Sequence, residues 1–432
     1  MLIHGLSCAI SHNFKTTKCN AMKAKTILLT LFIFIVYQAN AQVAGCTDPL
    51  SRNFNPNATV NDGSCTYTSA SVSPVSTVVL PEAVVETSGL LLWDASLYTH
   101  NDNTDTNLYS INSLTGALEN TLAITGTSNQ DWEDIDQDAN YVYIAETGNN
   151  ASGNRSNLRI LRVDKAGLLA GNPNVNSINF TYSNQTDFTA TANNHTDFDC
   201  EAIIVGTDSI YLFTKQWVSH KTSVYSLPKT PGTYVAQLHE TYNVGGLITG
   251  ATYVQDKKLV ALCGYSTTLQ PFIYLLYDFT GNNFFSGNKR KLSLSLGFHQ
   301  IEGIATNNGV DYYLSNEHFQ QFVVNTPQKL HAVNLGDYLG AYLQNVAGLK
   351  GTTLKEAGII IFPNPAFSTL TIQCPQTIVG KQYTITDMTG RLVQGGVLLN
   401  VTNTLDISAL TPGIYTVVIS SFETDGYKLI KK

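Results

Sequence analysis

The chain has 432 residues, too many for one ordinary hydrophobic core, so two or three domains are expected. Charged residues make up only 13% of it while Tyr and Phe number 22 and 18, and this composition favours strands over helices. A formal net charge of −7 excludes the basic surface that nucleic acids or anionic membranes require. We therefore expect no nucleic-acid partner.

Residues 1–41 have the pattern of a secretory signal peptide. A short basic segment precedes the apolar run 27–37, and residues 39–41 (Ala-Asn-Ala) form a small-x-small cleavage sequence. The run is too short to span a bilayer, which takes about 20 residues. Met22 stands where such a signal begins and is an alternative start of translation. The pattern predicts cleavage after Ala41 and no membrane span in the mature protein.

Residues 45–67 are a short segment bounded by Cys46 and Cys65. The sequence GCTDPLSRNFNPNATVNDGSCTY resembles a small module, often repeated in exported proteins of the Bacteroidota, with Phe54 in place of the usual tyrosine. A piece this small buries little apolar surface, so a Cys46–Cys65 disulfide bond is predicted to hold it. Its Asp and Asn side chains either bind Ca²⁺ or close turns, and we favour turns. The other cysteines of the mature chain are expected to be buried thiols.

Residues 79–335 contain an internal repeat. A polar residue, a small or acidic residue and an apolar residue open a short strand at 88–90, 133–135, 201–203, 249–251 and 302–304. A second and a third strand follow each time, which predicts a β-propeller with five or six blades, a sixth fitting only between 164 and 197. Residues 76–80 are predicted to close the ring by joining the last blade. An array of β-sandwiches is the competing architecture, but it would not repeat three strands in this order.

Three of the repeats begin with a glutamate: Glu133, Glu201 and Glu302. Equivalent positions of the blades converge on the axis of the ring, where carboxylates repel one another unless a cation or a shared proton relieves them. One interpretation is a divalent metal with oxygen ligands, Ca²⁺ or Mg²⁺, as cofactor. The other is that each glutamate accepts hydrogen bonds from backbone N–H groups or from a neighbouring blade.

A second group of polar residues follows the second strands of four blades. Its members are His100, Asp102, Glu146, Asn149, Asn150, Lys215, Trp217, Asn316 and Glu317. Since these positions also correspond between blades, they are predicted to share one rim. Imidazole, carboxylate, amide and indole groups together suit a sugar or another polar ligand. Solvated loop residues without a binding role are the alternative.

One pair of segments carries a further resemblance. Asp131-Trp132-Glu133-Asp134-Ile135 and Glu146-Thr147-Gly148-Asn149-Asn150, followed by Asn154-Arg155, resemble uncharacterised exported propellers and, more distantly, propeller lactonases and phytase-like esterases. The resemblance implies metal-binding carboxylates and amides on the channel. A full catalytic set does not align, so no activity is carried over. The motifs of common serine hydrolases, zincins and nucleotide-binding enzymes do not occur in the sequence.

Residues 336–355 are interpreted as a linker and residues 356–432 as a small β-sandwich, because alternating strands are separated by Gly and Pro turns. The landmarks are Phe362-Pro363-Asn364-Pro365, Asp387-Met388-Thr389-Gly390-Arg391, Leu410-Thr411-Pro412-Gly413-Ile414-Tyr415 and a Lys-rich end. This pattern resembles the type IX secretion sorting domain of Bacteroidota. The resemblance implies recognition by the outer-membrane translocon, removal of the module, and release or surface anchoring of the cargo. A free-standing adhesive Ig-like domain is the alternative.

The predicted fold is therefore all-β, a β-propeller followed by a small C-terminal β-sandwich. The predicted protein is a secreted or cell-surface monomer whose partners are the type IX translocon and an extracellular ligand. That ligand is polar, a carbohydrate, peptide or surface partner, and it is bound without catalysis. The alternative is a metal-dependent extracellular hydrolase of esterase, lactonase or phosphatase type that uses the channel carboxylates.

Overall fold

The computed structural model describes residues 42–94, 96–103, 105–321, 323–348, 358–387, 391–419 and 427–432. Three sequence predictions lie outside these ranges: the signal peptide 1–41, the linker from residue 349 onward, and positions 388–390 of the predicted Asp-x-x-Gly-Arg turn. No helix of the described ranges is long and apolar enough to cross a membrane.

The small module contains two short parallel strands, β1 (Ala44–Gly45) and β2 (Val60–Asn61). The predicted disulfide bond is confirmed: the sulfur atoms of Cys46 and Cys65 are 1.96 Å apart and their Cα atoms 4.8 Å apart. Asp48, Asn55 and Asp62 each accept a hydrogen bond from the backbone N–H two residues later. These side chains therefore close turns, which is the interpretation favoured from the sequence.

The described part of the chain contains five blades, preceded by β3 (Ala70–Val72) and β4 (Ser76–Val79). The first blade has β5 (Thr87–Trp93), β6 (Ser96–Asn101), β7 (Asn107–Ile111) and β8 (Leu118–Ala123). The second has β9 (Trp132–Gln137), β10 (Tyr141–Glu146), β11 (Arg159–Asp164) and β12 (Val175–Tyr182). The third has β13 (Asp199–Val205), β14 (Ser209–Lys215), β15 (Thr222–Pro228) and β16 (Gly232–Tyr242).

The fourth blade has β17 (Leu247–Val254), β18 (Leu259–Tyr265), β19 (Pro271–Tyr277) and β20 (Asn288–Leu294). The fifth begins with β21 (Ile301–Ala305) and β22 (Asp311–Asn316). A separate hairpin of β23 (Phe319–Gln321) and β24 (Val324–Thr326) then precedes β25 (Lys329–Asn334), which returns to the blade. Within the described ranges the helices are α1 (Lys165–Leu169), α2 (Gly336–Gly348) and short 3₁₀ turns at Glu82–Val84, Gln255–Lys257, Phe284–Ser286 and Gln376–Ile378.

The blades close into a ring. Their innermost strands contact one another in the order β5, β9, β13, β17, β21 and back to β5. β4 pairs antiparallel with β25 and so completes the fifth blade from the N-terminal side, the pairing predicted for residues 76–80. The interval between residues 164 and 197 holds α1, β12 and an irregular segment rather than a sixth blade. The predicted propeller fold is confirmed, with five blades.

Each innermost strand carries a β-bulge at the repeated triplet. Its register with the second strand of the blade shifts at residues 88–91, 132–135, 200–202, 248–250 and 301–303. A bulge leaves a residue unpaired and redirects its side chain. In the third, fourth and fifth blades the extra residue is Glu201, Thr249 and Glu302. The triplet that recurs in the sequence therefore corresponds to a β-bulge that recurs in each innermost strand.

The C-terminal strands form a two-layered sandwich, as predicted. They are β26 (Ile360–Phe362), β27 (Thr369–Gln373), β28 (Gln382–Asp387), β29 (Leu392–Val397), β30 (Thr402–Asp406), β31 (Gly413–Ile419) and β32 (Tyr427–Lys431). One sheet has the order β26-β27-β30 and the other β29-β28-β31-β32. Side chains that alternate along the strands, such as Leu370, Ile385 and Val417, form a hydrophobic core of their own between the two sheets.

Candidate functional site

Carboxylates cluster at the end of the channel where the innermost strands begin. We call this cluster the acidic mouth; its members are Asp131, Glu133, Asp199, Glu201 and Glu302. The three glutamates predicted from the repeat are at most 6% exposed. One carboxylate oxygen from each of Glu133, Asp199 and Glu201 can be chosen so that all three lie within 4.8 Å of one another. The bulges thus direct acidic side chains from different blades into one small volume.

Gly148 makes room for two of these carboxylates. A Cβ atom at this position would lie 2.2 Å from Oε1 of Glu133 and 2.2 Å from Oδ2 of Asp131, so any side chain here would collide with them. The backbone N–H groups of Thr147 and Gly148 donate to the carbonyl of Asp131 at 3.2 and 3.3 Å. Arg155 donates to the carbonyl of Gly148 at 2.5 Å. The two segments singled out in the sequence therefore form one packed unit that sets Asp131 beside Glu133.

Lys215 brings a buried positive charge to the acidic mouth. Its Nζ atom lies 3.0 Å from Oε2 of Glu201, and both side chains are 4% exposed. The ring centroids of Trp217 and Tyr265 are 4.5 and 5.2 Å from Nζ, within the range of a cation–π contact. Burial alone would lower the pKa of Lys215, but the charge of Glu201 and of other acidic neighbours raises it well above its usual value. Lys215 is therefore protonated and balances one carboxylate.

The other carboxylates of the acidic mouth are less well balanced. Burial raises the pKa of Glu133 well above its usual value, and the charges of Glu201 and Asp131 raise it further. Burial and the charge of Asp199 raise the pKa of Asp131 to about 6. Burial also raises the pKa of Glu302, whose Oε2 atom has no hydrogen-bond partner among the described residues. These groups favour the protonated form unless a cation joins them.

Asp199 is the member of the acidic mouth that sequence reasoning missed. Its Oδ2 atom accepts a hydrogen bond from Nε1 of Trp217 at 2.8 Å, and its Oδ1 atom accepts one from the backbone N–H of Asn149 at 2.5 Å. A signal for it exists in the sequence, because the pattern Asp-x-Glu occurs at 131–133 and again at 199–201. The site therefore contains both the glutamate of the Asp-x-Glu pattern and the aspartate two residues before it.

The predicted rim divides into two groups. Five of its residues are buried, namely His100, Glu146, Asn149, Lys215 and Asn316, whereas Asp102, Asn150, Trp217 and Glu317 are partly exposed. The second strands extend to Asn101, Glu146, Lys215 and Asn316, so four of the buried residues lie within strands rather than after them, whereas Asn149 follows its strand as predicted. Glu146, for example, lies 2.7 Å from Arg159 and 3.5 Å from Arg155. These buried side chains hold the walls of the mouth together.

A second carboxylate group borders the acidic mouth on its solvent side. Glu86, Asp102 and Glu317 offer oxygen atoms within 4.8 Å of one another, and all three residues are partly exposed. Burial, with the charges of Glu86 and then Asp131, raises the pKa of Asp102 to about 7. Gln300 donates to Oε1 of Glu317 at 2.6 Å. Negative charge therefore extends from the buried carboxylates towards solvent.

Polar contacts below the acidic mouth connect the innermost strands of the blades. The buried carboxylate of Asp134 accepts hydrogen bonds from the backbone N–H groups of Ile203, at 2.8 Å, and Ala251, at 3.3 Å, in the next two blades. The hydroxyls of Ser88 and Thr249, the remaining members of the repeat, donate at 2.5 Å to backbone carbonyls of the next blade. These residues therefore hold the five innermost strands together beneath the acidic mouth.

Comparison with known families identifies the C-terminal part of the chain. Residues 360–432 match the family described as a secretion system C-terminal sorting domain. These residues are a type IX secretion sorting domain. The sequence prediction is confirmed, and the protein is exported by type IX secretion to the cell surface or beyond it. The match covers less than half of the chain, so it identifies the sorting domain and not the propeller.

Solved structures resemble the chain only remotely. PorZ of Porphyromonas gingivalis, described as an essential bacterial surface component of the type-IX secretion system, is 14% identical with a TM-score of 0.29; the alignment covers 80% of this chain and 45% of PorZ. This chain thus spans less than half the length of PorZ. A glutaminyl cyclase of Myxococcus xanthus is 8% identical (TM-score 0.38, covering 61% of this chain and 98% of that one). An α-L-arabinofuranosidase of Podospora anserina is 7% identical (TM-score 0.36, covering 62% and 98%). No curated protein matches the sequence.

Proposed function

We propose that the exported propeller binds an extracellular polar ligand at the acidic mouth without catalysis, through a divalent cation held by Glu133, Asp199 and Glu201. One observation carries the proposal: these three buried residues offer carboxylate oxygens within 4.8 Å of one another. Lys215 balances only one of them. Buried like charges destabilise the folded state unless protons or a cation neutralise them. Oxygen atoms of the ligand would complete the coordination of the cation.

The rigidity of the site suits Ca²⁺ better than Mg²⁺. Ca²⁺ accepts six to eight oxygen ligands in irregular geometry, whereas Mg²⁺ demands a near-ideal octahedron and keeps several of its waters. Glu133, Asp199 and Glu201 lie on the innermost strands of two blades, which would have to move to satisfy an octahedron. A set made only of carboxylates also favours these hard cations over transition metals. Asp102, Trp217 and Glu317 are partly exposed beside the buried group and would contact the ligand.

Replacement of Glu133 by Gln tests the cation, because it keeps the shape of the side chain and removes one charge. Ca²⁺ is expected to raise the melting temperature of the wild-type mature chain, and Glu133→Gln should remove most of that rise. A ligand that binds only the folded state stabilises it by about 2.7 kcal/mol at a hundredfold excess over Kd. Thermal unfolding with Ca²⁺ and with a chelator measures the effect. Glu201→Gln is less suitable, because it also removes the partner of Lys215.

Glu119 provides the matched control, because it is exposed on the outer strand β8. Glu119→Gln should leave the response to Ca²⁺ unchanged. The proposal is wrong if neither Ca²⁺ nor Mg²⁺ changes the melting temperature of the wild-type chain and Glu133→Gln is neutral or stabilising. The acidic mouth would then be a cluster of carboxyl groups that share protons.

A metal-dependent hydrolase is the second candidate function, and Glu302 is the observation that favours it. Its buried Oε2 atom has no partner among the described residues, and burial raises its pKa, as a general acid or base requires. If ester, lactone or phosphate substrates are hydrolysed, Glu302→Gln should abolish turnover and keep the stabilisation by Ca²⁺. A wild-type chain that responds to Ca²⁺ but hydrolyses none of these substrates would contradict the hydrolase and support the binding function.

A further inference from the structure

We propose that Glu86, Asp102 and Glu317 bind a second divalent cation, Ca²⁺, where the first and fifth blades of the ring meet. Each of the three offers a carboxylate oxygen, and these oxygens lie within 4.8 Å of one another. Ca²⁺ binds carboxylate oxygens and tolerates the irregular geometry and bound waters of a partly exposed site. We call this group the junction site. It shares no residue with the cation site proposed above, so it does not depend on that site.

Backbone hydrogen bonds fix the three segments that carry these carboxylates. Glu86 directly precedes β5 and Asp102 directly follows β6, and the N–H of Asp102 donates to the carbonyl of Glu86 at 3.1 Å. Glu317 directly follows β22 of the fifth blade. The N–H of the next residue, His318, donates to the carbonyl of Val85 at 2.9 Å. Ordered backbone from both blades therefore holds the carboxylates together although they repel one another.

No positive side chain of the described residues balances the junction site. None of the ion pairs formed by those residues includes Glu86, Asp102 or Glu317. Oε1 of Glu317 accepts a hydrogen bond from Gln300 at 2.6 Å, but an amide carries no charge. Lys215 is already paired within the acidic mouth. Carboxylates at this spacing favour either a shared proton or a bound cation.

Two buried carboxylate oxygens at the junction site have no hydrogen-bond partner among the described residues. One is Oδ1 of Asp102, and the other is Oε2 of Glu302, whose residue is 6% exposed. Burial raises the pKa of Glu317 well above its usual value, and the charge of Glu302 is the next cause, so Glu302 lies beside the site. A buried polar atom without a partner costs free energy. A hydrated Ca²⁺ would satisfy both oxygens, because it can bind Oδ1 directly while one of its waters donates to Oε2.

The junction site should bind Ca²⁺ more weakly than the buried group of the acidic mouth. Its three carboxylates are partly exposed, and water and salt screen charges at such positions. Calorimetric titration of the mature wild-type chain with Ca²⁺ should therefore resolve a tighter and a weaker ion. Asp102→Asn should weaken the second ion by about tenfold or more, since loss of a residue that merely supports a ligand already costs that much. Glu133→Gln should weaken only the tighter ion.

The stability of Asp102→Asn should change sign relative to the wild-type chain when Ca²⁺ is added. In a chelator the variant lacks one of several carboxylates that repel one another, so its melting temperature should equal or exceed that of the wild type. In saturating Ca²⁺ the wild type should be the more stable of the two, because the ion binds only the folded state. The measurement in chelator also shows that the variant folds.

Glu82→Gln is the matched control, because this exposed glutamate lies in the 3₁₀ turn just before Glu86 and outside the junction site. It should leave the binding of both ions unchanged. The proposal is overturned if the wild-type chain binds no ion that both Asp102→Asn and Glu317→Gln weaken. If only the site of Glu133 fails, the wild-type chain still binds one ion, which Asp102→Asn weakens and Glu133→Gln does not.

Discussion

Replacement of Lys215 by Met is expected to lower the free energy of unfolding by about 3–5 kcal/mol, because removal of one partner leaves a buried charge uncompensated. The Nζ atom of Lys215 lies 3.0 Å from Oε2 of Glu201, and both side chains are only 4% exposed. Asp199 and Glu302 add negative charge around the same ammonium group. Without the ammonium group of Lys215, burial and the neighbouring carboxylates would force Glu201 to take up a proton. Equilibrium unfolding in urea measures the loss.

Two further variants show whether the loss comes from the unpaired charge. Lys215→Met with Glu201→Gln should recover much of the lost stability, because the buried charge is then gone. Lys229→Met removes a more exposed pair with Asp138, at 2.7 Å and with 18% and 24% exposure, and should cost about 1 kcal/mol or less. Equal losses in Lys215→Met and Lys229→Met would show that Glu201 is not ionised in the folded protein.

Deletion of residues 360–432 is expected to stop transport across the outer membrane and leave the chain in the periplasm, because the match to a sorting domain is confined to these residues. The propeller should remain folded, since the strands of the sorting domain enclose a hydrophobic core of their own. Cell fractionation measures the distribution of the protein. The melting temperature of the truncated chain, with and without Ca²⁺, shows whether the propeller is intact.

A fusion supplies the complementary control for export. Residues 349–432 joined to an unrelated protein that already carries a signal peptide should direct that protein out of the cell. Glu119→Gln in the full chain should be exported like the wild type, because the residue is exposed on the outer strand β8 and far from the sorting domain in sequence. Undiminished secretion of the truncated chain would contradict the role assigned to residues 360–432.

Several features of the protein could be predicted because they depend on local or repeated sequence patterns. A polar, small and apolar triplet recurs because each blade needs the same bulge, so the triplets located the innermost strands and the converging glutamates. Cys46 and Cys65 lie within one short segment, which left each an obvious partner. The turn and strand landmarks of the sorting domain follow one another in fixed order along residues 360–432.

The composition of the acidic mouth depended instead on distances between residues that are far apart in the chain. The contact of Asp199 with Asn149 joins positions 50 residues apart, across two blades. His100 and Asn316 lie within or at the end of strands and are buried. The ring of His100 contacts Trp132 of the next blade, and Asn316 bonds to His331 on another strand of its own blade, and neither contact leaves a periodic mark in the sequence. The small module likewise meets the fourth blade through hydrogen bonds of Asn61 with Asp278 and Asn288, more than 200 residues later in the chain. Sequence by itself determined which strands recur and where export is encoded; tertiary structure decided which charges are paired, because pairing and burial depend on how the closed ring brings distant strands together.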